Sequence, residues 1–241
     1  MQGRLVEQDP GDEPADALLE RIRAEKRRLV KAGKIKKSKG ESRIFRRDNS
    51  HYEQLGGVER CIDDEIPFDL PQGWVWCRLC NIGQIVGGGT PKTEKSDYWK
   101  NGNIPWLTPA DMKNVVGKYV SRGKRNITEE GLNNSSAQMM PNNSIIYSSR
   151  APIGYIAIAS NPLCTNQGFK SLVPYNSDVV PFIYYALVQR TPDIQSRASG
   201  TTFKEISGSE FGQTLVALPP LAEQRRIVER VEYLLAECRQ L

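Results

Sequence analysis

With 241 residues, 39% of them hydrophobic and 25% charged, the chain has room for one full-size domain with appendages or for two small ones, and wholesale disorder is excluded. Its longest apolar run, near Tyr155–Ala159, is far shorter than the roughly 20 residues of a bilayer helix. Glu7, Asp9, Asp12 and Glu13 stand where a secretory leader would be apolar, so a cytoplasmic protein without a membrane span is expected. The net charge of +5 is segregated: Arg21–Arg47 holds thirteen Lys/Arg against two acids, whereas Asp48–Asp69 holds seven acids against one base. A polyanion would be drawn to the basic arm and to the mildly positive body from Trp74 to Leu218.

In chain order, Pro14 followed by an apolar stripe of Leu18, Leu19, Ile22, Leu29 and Val30 predicts a helix over Ala15–Lys31, with Gly33 as its stop. Lys34–Asp69 lacks periodicity and reads as an extended connection, its run Lys34-Ile-Lys-Lys-Ser-Lys39 as a solvated linker. Pro71-Gln-Gly73 predicts a turn into a strand over Trp74–Leu79, and further strands are expected at Ile104–Leu107, Ser144–Ser148, Tyr155–Ala159 and Gln213–Leu218. Two helices are expected at Val179–Gln189, with Pro181 in the first turn, and at Pro192–Ala198, ended by Gly200. After Pro219-Pro220 the positions Ile227, Val231, Leu234, Cys238 and Leu241 follow a four-three spacing, the seam of a helix that buries its stripe against a partner helix or on its own domain. The seam is still running at Leu241, so either the chain is cut there or another molecule completes the stripe.

Chemistry-bearing patterns are sparse. The cysteines, Cys61, Cys77, Cys80, Cys164 and Cys238, are odd in number and make no secreted disulfide framework. Cys77-Arg-Leu-Cys80 lacks a second ligand pair, His51 is the one histidine, and residues three apart on the expected strand would face opposite ways, so no metal site is expected. Asp111-Met-Lys113, with Asp97 upstream, has the shape of a metal-dependent nuclease tripeptide but no advertised acidic cluster. No phosphate-binding P-loop or dinucleotide fingerprint is present. What the sequence offers instead is a set of small, polar loops: Gly87-Gly-Gly-Thr-Pro-Lys92, Ser148-Ser-Arg150, Thr165-Asn-Gln-Gly-Phe-Lys170 and Ser199-Gly-Thr-Thr-Phe-Lys204. Glycines admit close backbone approach, Ser, Thr, Lys and Arg suit phosphate oxygens, and Asn, Gln and Arg can bond base edges in pairs.

Together these stretches resemble the specificity (S) subunits of Type I restriction-modification systems, and in particular one target recognition domain with its flanking helices. The resemblance is carried in order by Leu70-Pro-Gln-Gly-Trp74, Gly88-Gly-Thr-Pro91, Tyr98-Trp-Lys-Asn-Gly-Asn-Ile-Pro-Trp106, Ser148-Ser-Arg-Ala151, Thr165-Asn-Gln-Gly-Phe169, Ser199-Gly-Thr-Thr-Phe203 and Pro219-Pro-Leu-Ala-Glu-Gln224. Gly3-Arg-Leu-Val-Glu-Gln-Asp-Pro10 through Lys34-Ile-Lys-Lys37 is similar to the family's central stretch leading into a second recognition domain.

The resemblance implies an α+β fold, a mixed-sheet recognition domain flanked by helices of an antiparallel coiled-coil scaffold. Residues 1–47 would be a helical spacer and basic linker, 48–73 an extended connection, 74–218 the recognition domain and 219–241 a scaffold helix. It also implies a non-catalytic chain that reads one half of a bipartite duplex target and directs adenine methylation and restriction by partner subunits. With one recognition domain instead of two, the chain looks like the second half of an S subunit or a half-length form that dimerises through its helices. The expected DNA contacts are Lys92, Lys113, Ser149, Arg150, Asn166, Gln167, Lys170, Thr201, Thr202 and Lys204, with base choice in less recognisable segments such as Asn114–Asn134. The expected scaffold seam is Ile227, Val231, Leu234 and Cys238. No cofactor is expected in this chain; S-adenosylmethionine and ATP with magnesium would be held by the modification and restriction subunits. Asn161-Pro-Leu-Cys164 is not an adenine-methyltransferase motif. The rivals are an enzyme in its own right, such as the nuclease above, and a regulatory half-subunit that binds the methyltransferase without reading DNA.

Overall fold

A computed structural model describes residues 3–37, 40–201 and 204–238. Helix α1, Ala15–Lys31, has the predicted bounds and buries Ala15, Leu18, Leu19 and Ile22, spaced to share one helical face, while Leu29 and Val30 near its end are half-buried. The connection expected next is instead a three-stranded antiparallel meander: β1 Arg43–Arg47, β2 Ser50–Leu55 and β3 Val58–Cys61. Its two tight turns put Asp48, Asn49, Gly56 and Gly57 at positive φ, the geometry that two-residue hairpin loops require. Across all three strands the one buried residue is a carboxylate, Glu53. The strands therefore carry no apolar alternation by which a sequence reading could find them.

The meander is joined to the body by charge. Strand β4, Val75–Arg78, ends on Arg78, which is 2% exposed. Its Nε and Nη2 donate to the two Glu53 oxygens at 3.0 and 2.7 Å, and Nη1 donates to Glu65 at 2.7 Å and to the Gln213 carbonyl at 2.9 Å. Ser42 and Arg60 complete the shell of Glu53 at 2.5 and 2.6 Å. Burial pushes the Glu53 carboxyl up, but the bonds from Arg78, Ser42 and Arg60 outweigh it and hold the pKa at about 2.

Beyond β4 come a short helix α2, Leu79–Ile82, and β5, Gly83–Gly87. Cys80 thus lies on α2 and not on the strand with Cys77. Then follow β6 Ile104–Leu107, α3 Pro109–Met112, β7 Tyr119–Val120, β8 Arg125–Ile127, α4 Glu129–Asn133, β9 Ile145–Ser149, β10 Ile153–Ala159, β11 Cys164–Thr165 and β12 Lys170–Pro174. A five-stranded sheet runs β5-β12-β9-β10-β7, antiparallel except for the β10–β7 edge; β11-β6-β8 form a smaller mixed sheet.

Helix α5, Val180–Ser196, merges the two predicted helices into one that runs through Pro192. Proline there leaves the Val188 carbonyl without its helical partner, and Val188 is 45% exposed, so water can satisfy it. After α6, Gly208–Gly212, strand β13, Leu215–Leu218, pairs antiparallel with β4, and α7, Leu221–Cys238, completes the described chain. One core gathers Leu18 and Ile22 of α1, Tyr147 of β9, Phe182 and Ile183 of α5, Phe211 of α6 and Ile227 of α7.

The seam expected of α7 divides in two. Ile227 is buried and Val231 packs beside it on the chain's own core, whereas Tyr233, Leu234 and Leu235 are 56%, 37% and 44% exposed and Cys238 is also exposed. The first half is held down by α5 and by polar ties at its base: Trp74 Nε1 donates to Glu223 at 2.8 Å, and Arg226 pairs with Asp12 at 2.6 Å. Leu241 lies outside the described residues. Cys77 and Cys164 are buried and Cys80 is half-buried, and burial pushes their thiols up, to about 12 for Cys77 and about 11 for Cys164.

Candidate nucleic-acid interface

The glycine loop after β5 is fixed by close approach. A Cβ on Gly88 would stand 2.0 Å from the Asn166 carbonyl oxygen and 2.4 Å from that of Thr165, a space that admits no side chain. Gly89 N–H donates to the Thr165 carbonyl at 2.9 Å, and its own carbonyl accepts from Trp106 Nε1 at 2.9 Å. At the tip, Thr90 Oγ1 donates to Gln167 Oε1 at 2.5 Å, so two loops 77 residues apart in sequence touch. The cluster extends further. Ser149 N–H donates to the Gly168 carbonyl at 2.8 Å, and the Ser149 carbonyl accepts from Ile206 N–H at 3.0 Å. Ser199 and Glu205 exchange both backbone bonds, at 3.1 and 2.8 Å, which sets Thr201 and Lys204 close to the same cluster.

The expected contact residues fall into distinct groups. Gln167 and Thr201 are exposed; Asn166 is half-buried, and its Oδ1 accepts from Gly168 N–H at 2.9 Å, so part of its hydrogen-bonding capacity shapes the loop. Thr202 lies outside the described residues. Arg150 and Lys170 converge on one carboxylate, Glu205, at 3.7 and 3.1 Å. Ser149 is corrected: it is fully buried on β9, and its part is to tie two loops through its backbone. Lys92, Lys113 and Lys204 are exposed. Neither Lys92 nor Lys113 joins the loop cluster through a side-chain bond among the described residues; the Lys92 carbonyl accepts from Trp99 Nε1 at 3.1 Å, and Lys113 directly follows α3.

Sequence reasoning missed a neighbouring construction. Trp99 and Trp106 meet edge to face at 5.1 Å, and the Arg125 guanidinium lies 3.5 Å above Trp99. Trp106 and Arg125 are cross-strand partners on β6 and β8, so the association depends on a pairing that no local pattern announces. Arg122 and Lys124, beside it, are exposed. Lys118, by contrast, is engaged with Glu232 of α7.

The nuclease tripeptide dissolves on inspection of Asp111. Its Oδ2 accepts from Thr108 N–H and Oγ1, both at 2.8 Å, in a capping box that starts α3, and Oδ1 accepts from Lys124 N–H at 3.1 Å. Both oxygens are thus spent on main chain. Among the described residues no three His, Cys, Asp or Glu side chains gather as a metal site, and no helix is long and apolar enough to cross a membrane.

Polar loops on glycine hinges, ringed by exposed cations, have the makeup of a surface for duplex nucleic acid. Residues 71–241 match the family described as the Type I restriction modification DNA specificity domain. The chain belongs to this family. The Type I restriction enzyme MjaIX specificity subunit of Methanocaldococcus jannaschii is 39% identical over 166 residues, 68% of this chain and 38% of the relative. The EcoAI specificity subunit of Escherichia coli is 29% identical over 256 residues, 100% of this chain and 39% of the relative. Among solved structures, a chain of a type I R-M system superposes with a TM-score of 0.57 at 24% identity, covering 92% of this chain and 50% of that one. The HsdS subunit from Thermoanaerobacter tengcongensis gives 0.54 at 23%, covering 92% and 49%. The specificity domain therefore has the mixed α+β fold that the sequence implied, and it spans half or less of these relatives.

Proposed function

We propose that this specificity domain reads one half of a bipartite duplex target and leaves catalysis to partner subunits. The observation that carries the reading is the junction of the loops at 87–92 and 165–170, locked by the Gly88 cradle and the Thr90–Gln167 bond and bordered by exposed cations. Lys92, Lys113, Arg122, Lys124 and Lys204 supply phosphate contacts; Asn166, Gln167, Thr201 and the segment 114–134 face the bases. Once register is fixed, a methyltransferase partner flips and methylates an adenine, with S-adenosylmethionine held by that partner and ATP with magnesium by a restriction subunit. The exposed second half of α7, with Tyr233, Leu234 and Leu235, receives a helix from such a partner or from a second copy, the antiparallel scaffold of the resemblance.

Selection of bound sequences from a random duplex library by the purified chain tests the reading. Enrichment of a short motif is expected. Binding to a methyltransferase subunit with no sequence preference would instead establish a regulatory half-subunit, and cleavage or methylation by the chain alone would establish an enzyme.

A further inference from the structure

The loop face leaves the amino-terminal basic run unused, although it is the densest charge in the sequence. The structure brings part of that run against the body. A cleft of about 770 Å3 opens between α1 with its following segment and the region of β5, β12 and α6. Lys26, Lys34, Lys36 and Lys170 line it, and no described lining residue is a carboxylate. Lys34 and Lys36 are exposed, while Lys26 is 9% exposed with its ammonium 5.9 Å from the Tyr175 ring centroid. Glu205 takes one bond from Lys170, at 3.1 Å, from outside the lining.

Three features define the occupant. Four like charges lining one cleft with no lining counter-charge favour an anion there. The walls also offer bare main chain: a Cβ on Gly87 would meet nothing within 4 Å, and the Lys170 stem passes 3.8 Å from the Cβ position of Gly208. Finally, the cleft is continuous with the loop face, because Gly87 and Lys170 belong to both and are paired across β5 and β12. An extended array of cations running off the edge of a base-reading surface fits a polymer of phosphates better than a lone small anion.

We propose that this cleft holds the sugar–phosphate backbone of the same duplex, on the stretch flanking the bases read by the loops. The inference rests on the DNA-reading assignment above and adds to it a sequence-independent clamp built from the basic arm. Its test compares the full chain with the double variant Lys34→Ala/Lys36→Ala, using fluorescence anisotropy on a selected-motif duplex and on an unrelated duplex across a salt series. Both lysines are exposed, so the fold is untouched. The expected result is weaker binding by the same factor on both duplexes, and a salt slope shallower by about 0.9 log units per tenfold salt for each lysine removed. A control variant of equal charge, Lys31→Ala/Lys37→Ala, removes exposed lysines that do not line the cleft. An unchanged slope in the cleft variant, or an equal loss in the control, overturns the clamp while leaving the loop reading intact. A wild-type chain that binds neither duplex overturns both.

Discussion

The joint between meander and body and the loop face use the same side chains for opposite ends. At the joint, Arg78 is 2% exposed and its guanidinium makes four hydrogen bonds, to Glu53, Glu65 and the Gln213 carbonyl. On the loop face Lys92, Lys113, Arg122 and Lys124 are exposed and make no ion pair among the described residues. A buried cation paired to two carboxylates is committed to holding strands in place, whereas an exposed cation without an ion-pair partner keeps its attraction for a phosphate. Between these extremes stand Arg150 and Lys170, which share Glu205. Counting basic residues therefore says little about binding until their partners are known.

The sharpest way to break this contrast is at the joint. Glu53→Ala strands Arg78 without its main partner and is expected to cost about 3–5 kcal/mol in urea denaturation; a loss below about 1 kcal/mol would show that the joint does not hold the meander. Acid should act on the same group. Because the folded Glu53 pKa is depressed to about 2 from 4.5, its contribution is complete above pH 4.5 and is lost as pH falls toward 2, which an acid-unfolding series checks against Glu53→Gln. Next in size, Gly88→Ala forces a Cβ against the Asn166 carbonyl and should cost about 1–3 kcal/mol while weakening duplex binding. On the loop face, Lys92→Ala and Lys113→Ala should leave stability within about 0.5 kcal/mol and each reduce the salt slope of DNA binding by about 0.9 log units per tenfold salt. Smallest in its effect on the isolated fold, Leu234→Glu with Leu235→Glu should leave the melting temperature unchanged yet abolish assembly seen by light scattering. Val231 is left alone in that test because it packs on the chain's own core.

Where apolar residues repeat at helical spacing, the sequence was legible: α1 has the bounds its stripe predicts, and α7 begins directly after Pro219-Pro220. The meander was not, since its few apolar residues stay half-buried or exposed and the group its strands bury is Glu53. Pro192 misled in another way, by marking a boundary where the helix runs on and gives up one intrahelical hydrogen bond. In the candidate interface each loop could be named from its composition, but their meeting could not, because the Thr90–Gln167 bond joins loops 77 residues apart and Trp106 meets Arg125 only through the pairing of β6 with β8. Ser149 shows the reverse error, a hydroxyl of the right type placed by its strand on an inward face.

The division among the cysteines has a practical consequence. Cys77 and Cys164 are buried and burial pushes their thiols up, half-buried Cys80 is pushed up for the same reason, and Cys61 on the meander and Cys238 at the end of α7 are open to solvent. Maleimide chemistry would consequently label Cys61 and Cys238 first, one beside the charged joint and one at the exposed end of α7, with half-buried Cys80 slower. A dye at Cys238 would give the proposed docking of a partner helix on α7 an optical readout.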